Sequence, residues 1–362
     1  MIFRHTLVLT FSLLTAAAGW AQHKTDRIIK AEYPIGPEDL IELRMQQADV
    51  RIHTGSSAEA RLEMTLEAEG STPERAADRL AMIDVRERHF GGKLQIETHL
   101  VGQRLLGLPL QSGIRITVDL YVPAACPVEL TLSGGSAEIG HRSGNVNLTL
   151  AYADLKAGHL AGMGNRISLD WGKAIIDTLG GGDVSIRGGS LEVQQAEMLY
   201  IYQVSARVKA GTVGDLTLNS QLGSLKVTDV SRITGTYLSS DVYIGRLGQT
   251  AVLQGRYAPA LEIATIAPGF DTLDLRGNAA AIHLGMEPDA RFELDATLER
   301  GTLTVSGLSG EMTEETDAAS PQVHRYRITP PAHARMASPP GYVRIQGNNS
   351  PVTIEKSEPV RP

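Results

Sequence analysis

Residues 184–227 read VSIRGGSLEVQQAEMLYIYQVSARVKAGTVGDLTLNSQLGSLKV, and the alternation inside this stretch decides the fold. Val184-Ser-Ile186 is followed by Leu191-Glu-Val193, Leu199-Tyr-Ile201 by Ala206-Arg-Val208, and Leu216-Thr-Leu218 by Leu225-Lys-Val227. Each is a short strand with one apolar face, and small or polar residues stand between the strands. The pattern extends outward in both directions. Towards the N-terminus it gives Leu148-Thr-Leu150 with Leu155, and Ile167-Ser-Leu169 with Ile175-Ile176. Towards the C-terminus it gives Val242-Tyr-Ile244, Leu261-Glu-Ile263, Leu273-Asp-Leu275 with Ile282-His-Leu284, and Phe292-Glu-Leu294 with Leu303-Thr-Val305. Copies recur roughly every 15–21 residues, a spacing that implies stacked coils. One such unit cannot bury its own apolar face, so only stacking makes a core. The expected fold is all-β: a β-solenoid or β-helix-like stack of short strands, with an antiparallel N-terminal cap and one short helix.

The ends divide the chain further. Arg4 and His5, the apolar run from Leu7 to Ala18, and Gly19-Trp20-Ala21 read as a signal peptide over 1–21, cleaved before Gln22. The run is too short to span a bilayer comfortably, and no second one follows, so the mature chain is expected to carry no transmembrane segment. Export to the periplasm, the cell surface or the medium is the expectation. An N-terminal β cap region is placed at 27–137. It holds Ile41-Glu-Leu43, Val50-Arg-Ile52, the strict alternation Arg61 to Glu67, and Ile114 to Val122. Ser71-Thr-Pro-Glu74 forms a capping box that opens its helix. The repeat stack is placed at 138–310, a polar loop and C-terminal strands at 311–355, and a frayed tail at 356–362. Within the third segment the acidic run 311–320 reads as a loop. Tyr342-Val-Arg-Ile345 and Val352-Thr-Ile354 read as a final hairpin around Gly347-Asn-Asn-Ser350. That hairpin and the N-terminal region are expected to cover the open ends of the stack, whose bare strand edges invite association.

Composition excludes several functions. The formal net charge is −7, which argues against nucleic acid and against strong attraction to anionic lipid. Cys126 is the one cysteine, so no internal disulfide forms. Enclosed in Pro123-Ala-Ala-Cys-Pro127, it reads as a small buried residue and not as a nucleophile. The histidines form no His-Glu-x-x-His, and His141 and His159, which flank one repeat, have no convergent partners in the sequence. No Gly-x-Ser-x-Gly elbow or Gly-Lys-Ser/Thr phosphate loop occurs. Gly180-Gly-Gly-Asp183 reads as a corner. Asp170 and Asp177 bracket Trp171, and Asp183 follows, but a β stack carries many outward carboxylates and some fall within the ~5–10 Å of a glycosidase pair by chance. No catalytic residue, metal ligand or cofactor is assigned.

The aromatic residues give the binding candidates. Tyr152 and Trp171 occupy the same place in successive copies, after Leu148-Thr-Leu150 and Ile167-Ser-Leu169. Tyr202, Tyr243 and Tyr257 lie near other corners. An exposed row of such rings stacks on sugars or forms a protein hot spot; a buried row closes the ends of the core. Both alternatives are open at this stage.

The chain resembles the bacterial "putative adhesin" family of exported β-repeat proteins, a domain of unknown function. The resemblance lies in Met45-Gln-Gln-Ala-Asp-Val-Arg-Ile52, in the order helix, Gly-Gly turn and Ile114 to Pro123, and in Ser240 to Gly245 and Phe270 to Leu275. It covers most of residues 40–310 and carries over no catalytic residue. It implies a surface or envelope role. The resulting expectation is a non-enzymatic, adhesin-like binding or scaffold protein whose partner is an envelope glycan or protein. A carbohydrate-active β-helix enzyme and a periplasmic partner in envelope signalling are the alternatives.

Overall fold

A computed structural model describes residues 23–55, 58–101, 113–308, 310–330 and 340–357. The expected signal peptide and residues 358–362 lie outside this set. The described residues form 23 strands and one helix, an all-β stack as expected. The chain divides into two compact units, residues 1–178 and 179–362.

In the first unit the strands are β1 (His23–Pro34), β2 (Leu40–Gly55), β3 (Glu59–Gly70), β4 (Ile83–Phe90), β5 (Lys93–Leu100), β6 (Ile114–Pro123), β7 (Val128–Ile139), β8 (Val146–Leu160) and β9 (Asn165–Asp170), with α1 (Pro73–Ala81) between β3 and β4. β2 is the hub. It pairs in parallel with β5 and β6 on one edge and with β7 on the other, and β7, β8 and β9 follow in parallel register. The antiparallel part hangs on this hub: β6 pairs with β3, β3 with β1, and β5 with β4. The coil geometry is therefore present from β2 onward. Alternate residues of β2, β7 and β8 point inward, and Ile41, Leu130 and Leu148 are buried. Helix α1 starts one residue later than the capping box suggests. Thr72 is the N-cap, and its hydroxyl accepts from the Arg75 amide at 3.3 Å. Pro73 then takes the first helical position, where a missing N–H costs nothing.

Glu42 ties β5 to β2. Its carboxylate is almost fully buried and pairs with Lys93 at 2.8 Å and Arg44 at 2.7 Å. Burial pushes its pKa up, but the contacts from Lys93 and Arg44 outweigh burial and hold it below the usual carboxylate range. A depressed folded-state pKa stabilises above the unfolded value and loses that stabilisation as pH falls through the folded one.

Strand β10 (Lys173–Arg187) runs across the division between the units. The second unit continues with β11 (Ser190–Val204), β12 (Arg207–Gln221), β13 (Ser224–Leu238) and β14 (Asp241–Arg256). Each of these is one coil, stacked in parallel with an offset of 17 residues from β11 to β13, so Leu191, Val208, Leu225 and Val242 form one inward column. β15 (Ala260–Ile266) and β16 (Thr272–Asn278) together make the next coil on β14. Then come β17 (Ala281–Met286), β18 (Phe292–Glu299), β19 (Leu303–Ser306), β20 (Glu311–Thr316), β21 (Val323–Thr329), β22 (Gly341–Asn348) and β23 (Val352–Lys356).

The last two strands correct the sequence expectation. They are not a hairpin covering the end. β22 lies between β16 and β18, and β23 between β17 and β19, parallel on both sides. The C-terminal segment is thus a coil inserted inside the stack, and Val343, Ile345, Val352 and Ile354 are fully buried. Nor does the tail begin at Lys356, which belongs to β23; Ser357 is buried and bonds to the Met286 carbonyl. The acidic run, expected as a loop, contains β20, which pairs antiparallel with β21 while β21 pairs with β18. Every β20 side chain is exposed, so no apolar alternation marks the strand.

Three outcomes follow from this packing. Leu218, 1% exposed, is expected to cost about 2–5 kcal/mol on replacement by alanine, measured by urea unfolding; a neutral effect contradicts the inward assignment. A chain ending before Gly341 leaves β16 and β18 each with a bare edge and is expected to become protease-sensitive from β15 onward, an outcome that limited proteolysis reads directly. Glu42→Gln is expected to lower stability at neutral pH, and its difference from the parent to shrink as pH falls below the unfolded carboxylate value of about 4.3 and through the lower folded one.

Candidate functional site

Each coil turns at a residue in the left-handed region. In the first unit these are Gln47, Gly134, Tyr152 and Trp171, with φ of 49°, 76°, 53° and 56°. The register aligns them: Ser133 pairs with Ala151 and Ala151 with Asp170, and the corner residue follows each. A small residue comes next every time: Ala48, Gly135, Ala153 or Gly172. Its size is set by close approach, because a Cβ on Gly172 would lie 2.1 Å from the Ala153 carbonyl oxygen. The corner side chain itself points away from the core. Tyr152 is 71% exposed and Trp171 58%. Beyond this corner, Asp49 accepts from the Ser136 hydroxyl at 2.7 Å, and Asp154 accepts from the Lys173 amide at 2.8 Å. The first unit thus presents two adjacent aromatic side chains, bordered by the flat Gly134 corner and by Asp154, with Asp49 two strands away beside the Gln47 corner.

The second unit repeats the device. Gly188, Ser205, Leu222, Ser239, Tyr257, Ala279 and Asn349 all have positive φ. Corner amides bond across the stack: Ser205 N to Gln221 O at 2.9 Å, Leu222 N to Leu238 O at 3.0 Å, Ser239 N to Arg256 O at 3.0 Å and Tyr257 N to Asn278 O at 2.8 Å. Tyr257 stands on this corner, well exposed. Tyr202 does not; it lies on the outer face of β11 beside exposed Tyr200, in the column of Asn219, Thr236 and Gln254. Tyr243 lies on the other side of the corner, half-buried, with the Lys226 ammonium 5.1 Å from its ring centre. The five aromatic candidates therefore belong to separate places: one pair in the first unit and three dispersed positions in the second.

The remaining sequence candidates also have places. Cys126 is buried, its Sγ donating to the Gly36 carbonyl at 3.1 Å, and burial pushes the thiol pKa up. Such a thiol is a poor nucleophile. Beside it is a group the sequence did not reveal. Arg142 is fully buried and donates to the carbonyls of Cys126 at 2.6 Å and Val122 at 3.3 Å, stapling the turn after β6. Burial pushes its pKa down to about 10. A lone arginine between His141 and Ser143 carries no signal of burial in sequence. His141 and His159 are both exposed with rings stacked 5.0 Å apart, and among the described residues no group of three or more metal-binding side chains converges. Asp177 and Asp183 are exposed. Among the described residues no helix is long and apolar enough to cross a membrane.

No protein-family model matches the chain, and none of the curated proteins does. Solved structures do. One is described as a "putative cell adhesion protein" from Clostridium sporogenes, 10% identical, covering 92% of this chain and all of its own, with a TM-score of 0.24. A "putative adhesin" from Bacteroides fragilis covers 91% of this chain and 97% of its own at 10% identity and a TM-score of 0.25. A "putative lipid binding protein" from Parabacteroides distasonis covers 90% and 96% at 10% identity and a TM-score of 0.28. Two of these descriptions name adhesion, as does the name of the family that the sequence resembles. At these scores the likeness supplies no function, which must come from the residues themselves.

Proposed function

We propose that this protein is an exported, non-enzymatic, adhesin-like binding protein of the cell envelope that holds a glycan on the Tyr152–Trp171 corner. One observation carries the reading: two large aromatic side chains stand exposed on adjacent corners where the fold does not require them. The corner demands a left-handed backbone, which costs an ordinary residue about 1–3 kcal/mol whatever its side chain. It asks nothing of the side chain, since glutamine, serine, leucine, alanine and asparagine fill equivalent corners of the two units. Tyrosine and tryptophan there add nothing to the core and leave apolar surface in water, which marks a contact site. Their faces suit the C–H face of a sugar ring, and the remaining lone pairs of Asp154 supply hydrogen-bond acceptors for hydroxyls.

The expected outcome is saturable binding of the purified protein to protease-treated envelopes from its own source. Tyr152→Ala and Trp171→Ala are each expected to weaken it about tenfold or more, the loss of about 1.4 kcal/mol or more, with unchanged thermal unfolding. Binding that disappears after protease treatment, or that both variants retain, contradicts the glycan reading.

A further inference from the structure

The second unit carries a shallow pit, lined by both apolar and polar groups, that the aromatic pair does not explain. It has a volume of about 250 Å³ and sits across β12, β13 and β14. Its outward side chains come in register. Asn219, Thr236 and Gln254 form one row across the three strands, and Gln221, Leu238 and Arg256 form the next. Strand spacing sets neighbours within a row about 4.8 Å apart. The second row borders the corner column, where Leu222 follows Gln221 and Tyr257 follows Arg256; both are more than 60% exposed.

Of the polar side chains lining this pit, Ser220 is spent on Gln203 and Ser240, but those facing outward are not. Among the described residues, the side chains of Asn219, Gln221, Thr236, Gln254 and Arg256 make no hydrogen bond or ion pair within the protein. Several other arginines of this unit are paired with acids, although among the described residues Arg207 of β12 is not. Arg232 is forked onto Asp215, Arg246 reaches Asp229 and Glu287, and Arg276 reaches Asp274. Arg256 has no such partner, and no carboxylate lines the pit. A planar guanidinium free of a protein acid is the group that binds a carboxylate in two-pronged fashion. Amides and a threonine hydroxyl beside it offer both donors and acceptors, as a polyhydroxylated ring requires. Exposed Leu238 in the lining offers that ring an apolar face, and Tyr257 stands on the corner next to Arg256. The volume falls just below the ~300–1,000 Å³ of drug-sized sites, which suits a single ring.

We infer that this pit is a second saccharide subsite, selective for an acidic sugar whose carboxylate pairs with Arg256. The inference rests on the glycan reading above and deepens it by adding, within the second unit, a subsite that selects by charge.

The test is calorimetric titration of the purified protein with a galacturonate trisaccharide and with its methyl ester, which lacks the charge. The acid is expected to bind at least tenfold more tightly than the ester. Arg256→Gln is expected to remove that preference, and Tyr257→Ala to weaken both ligands, with circular dichroism melts unchanged. Equal binding of acid and ester, no binding of either, or a preference that survives Arg256→Gln overturns the inference. Trisaccharide binding that Trp171→Ala abolishes and Arg256→Gln leaves intact also overturns it, while leaving the proposed function standing. If neither ligand binds and protease-treated envelopes do not bind either, both readings fall.

Discussion

Everything in this molecule depends on keeping parallel coils in register, and the corner amide is where register is held. At each corner one backbone N–H reaches the carbonyl just before the next corner, across Ser205, Leu222, Ser239 and Tyr257 in turn. A slip of one residue would turn every inward Leu, Ile and Val outward, so the apolar columns and the corner bonds enforce the same alignment. The same constraint explains the small residue after each corner. There the chain passes within contact of the preceding coil's carbonyl, and Ala, Ser or Gly is what fits.

Register also explains the chain's least expected route. Once β16 and β17 are in place, the direct path continues to β18 and β19, yet those strands stand one level too far to pair with them. The C-terminal segment fills the level between, and its two strands are bonded on both edges. The bare edges that remain are charged or short. β1 carries Lys24, Asp26, Arg27, Lys30 and Glu32, β4 carries Asp84, Arg86, Glu87 and Arg88, and β20 carries Glu311, Glu314 and Glu315. Charge on an edge discourages pairing with another chain.

How much of this was legible follows from what signals burial. The coils were readable because each inward residue alternates with an outward polar one, as in Leu216-Thr-Leu218 and Leu225-Lys-Val227. The equivalence of Tyr152 and Trp171 was readable because both follow an alternating strand at the same distance. β1 escaped notice because it buries no residue fully, and β20 because all its side chains face solvent. Both exist through backbone pairing with a neighbour, which side-chain patterns do not report. The inserted C-terminal coil escaped for a different reason: its strands were evident, but their partners are distant in sequence. The corner column was half visible. Pairs such as Tyr152-Ala153, Trp171-Gly172, Leu222-Gly223 and Tyr257-Ala258 repeat an ordinary residue followed by a small one, yet only the register shows that the first of each takes the left-handed position.

A stack of this kind separates two jobs cleanly. Inward positions make the core, while corner side chains are free of it and available for contact. In the first unit that freedom goes to a tyrosine and a tryptophan beside Asp154; in the second it goes to Leu222 and Tyr257 next to the pit across β12, β13 and β14. Trp171 is the one tryptophan after Trp20, so in a protein beginning at Gln22 its fluorescence reports the first corner alone. Titrating that protein with soluble glycan fragments of its own envelope tests the central claim most directly. The account predicts a saturable change in Trp171 emission that Tyr152→Ala weakens. Binding of the fragments with no change in that emission would place the contact elsewhere and contradict the account.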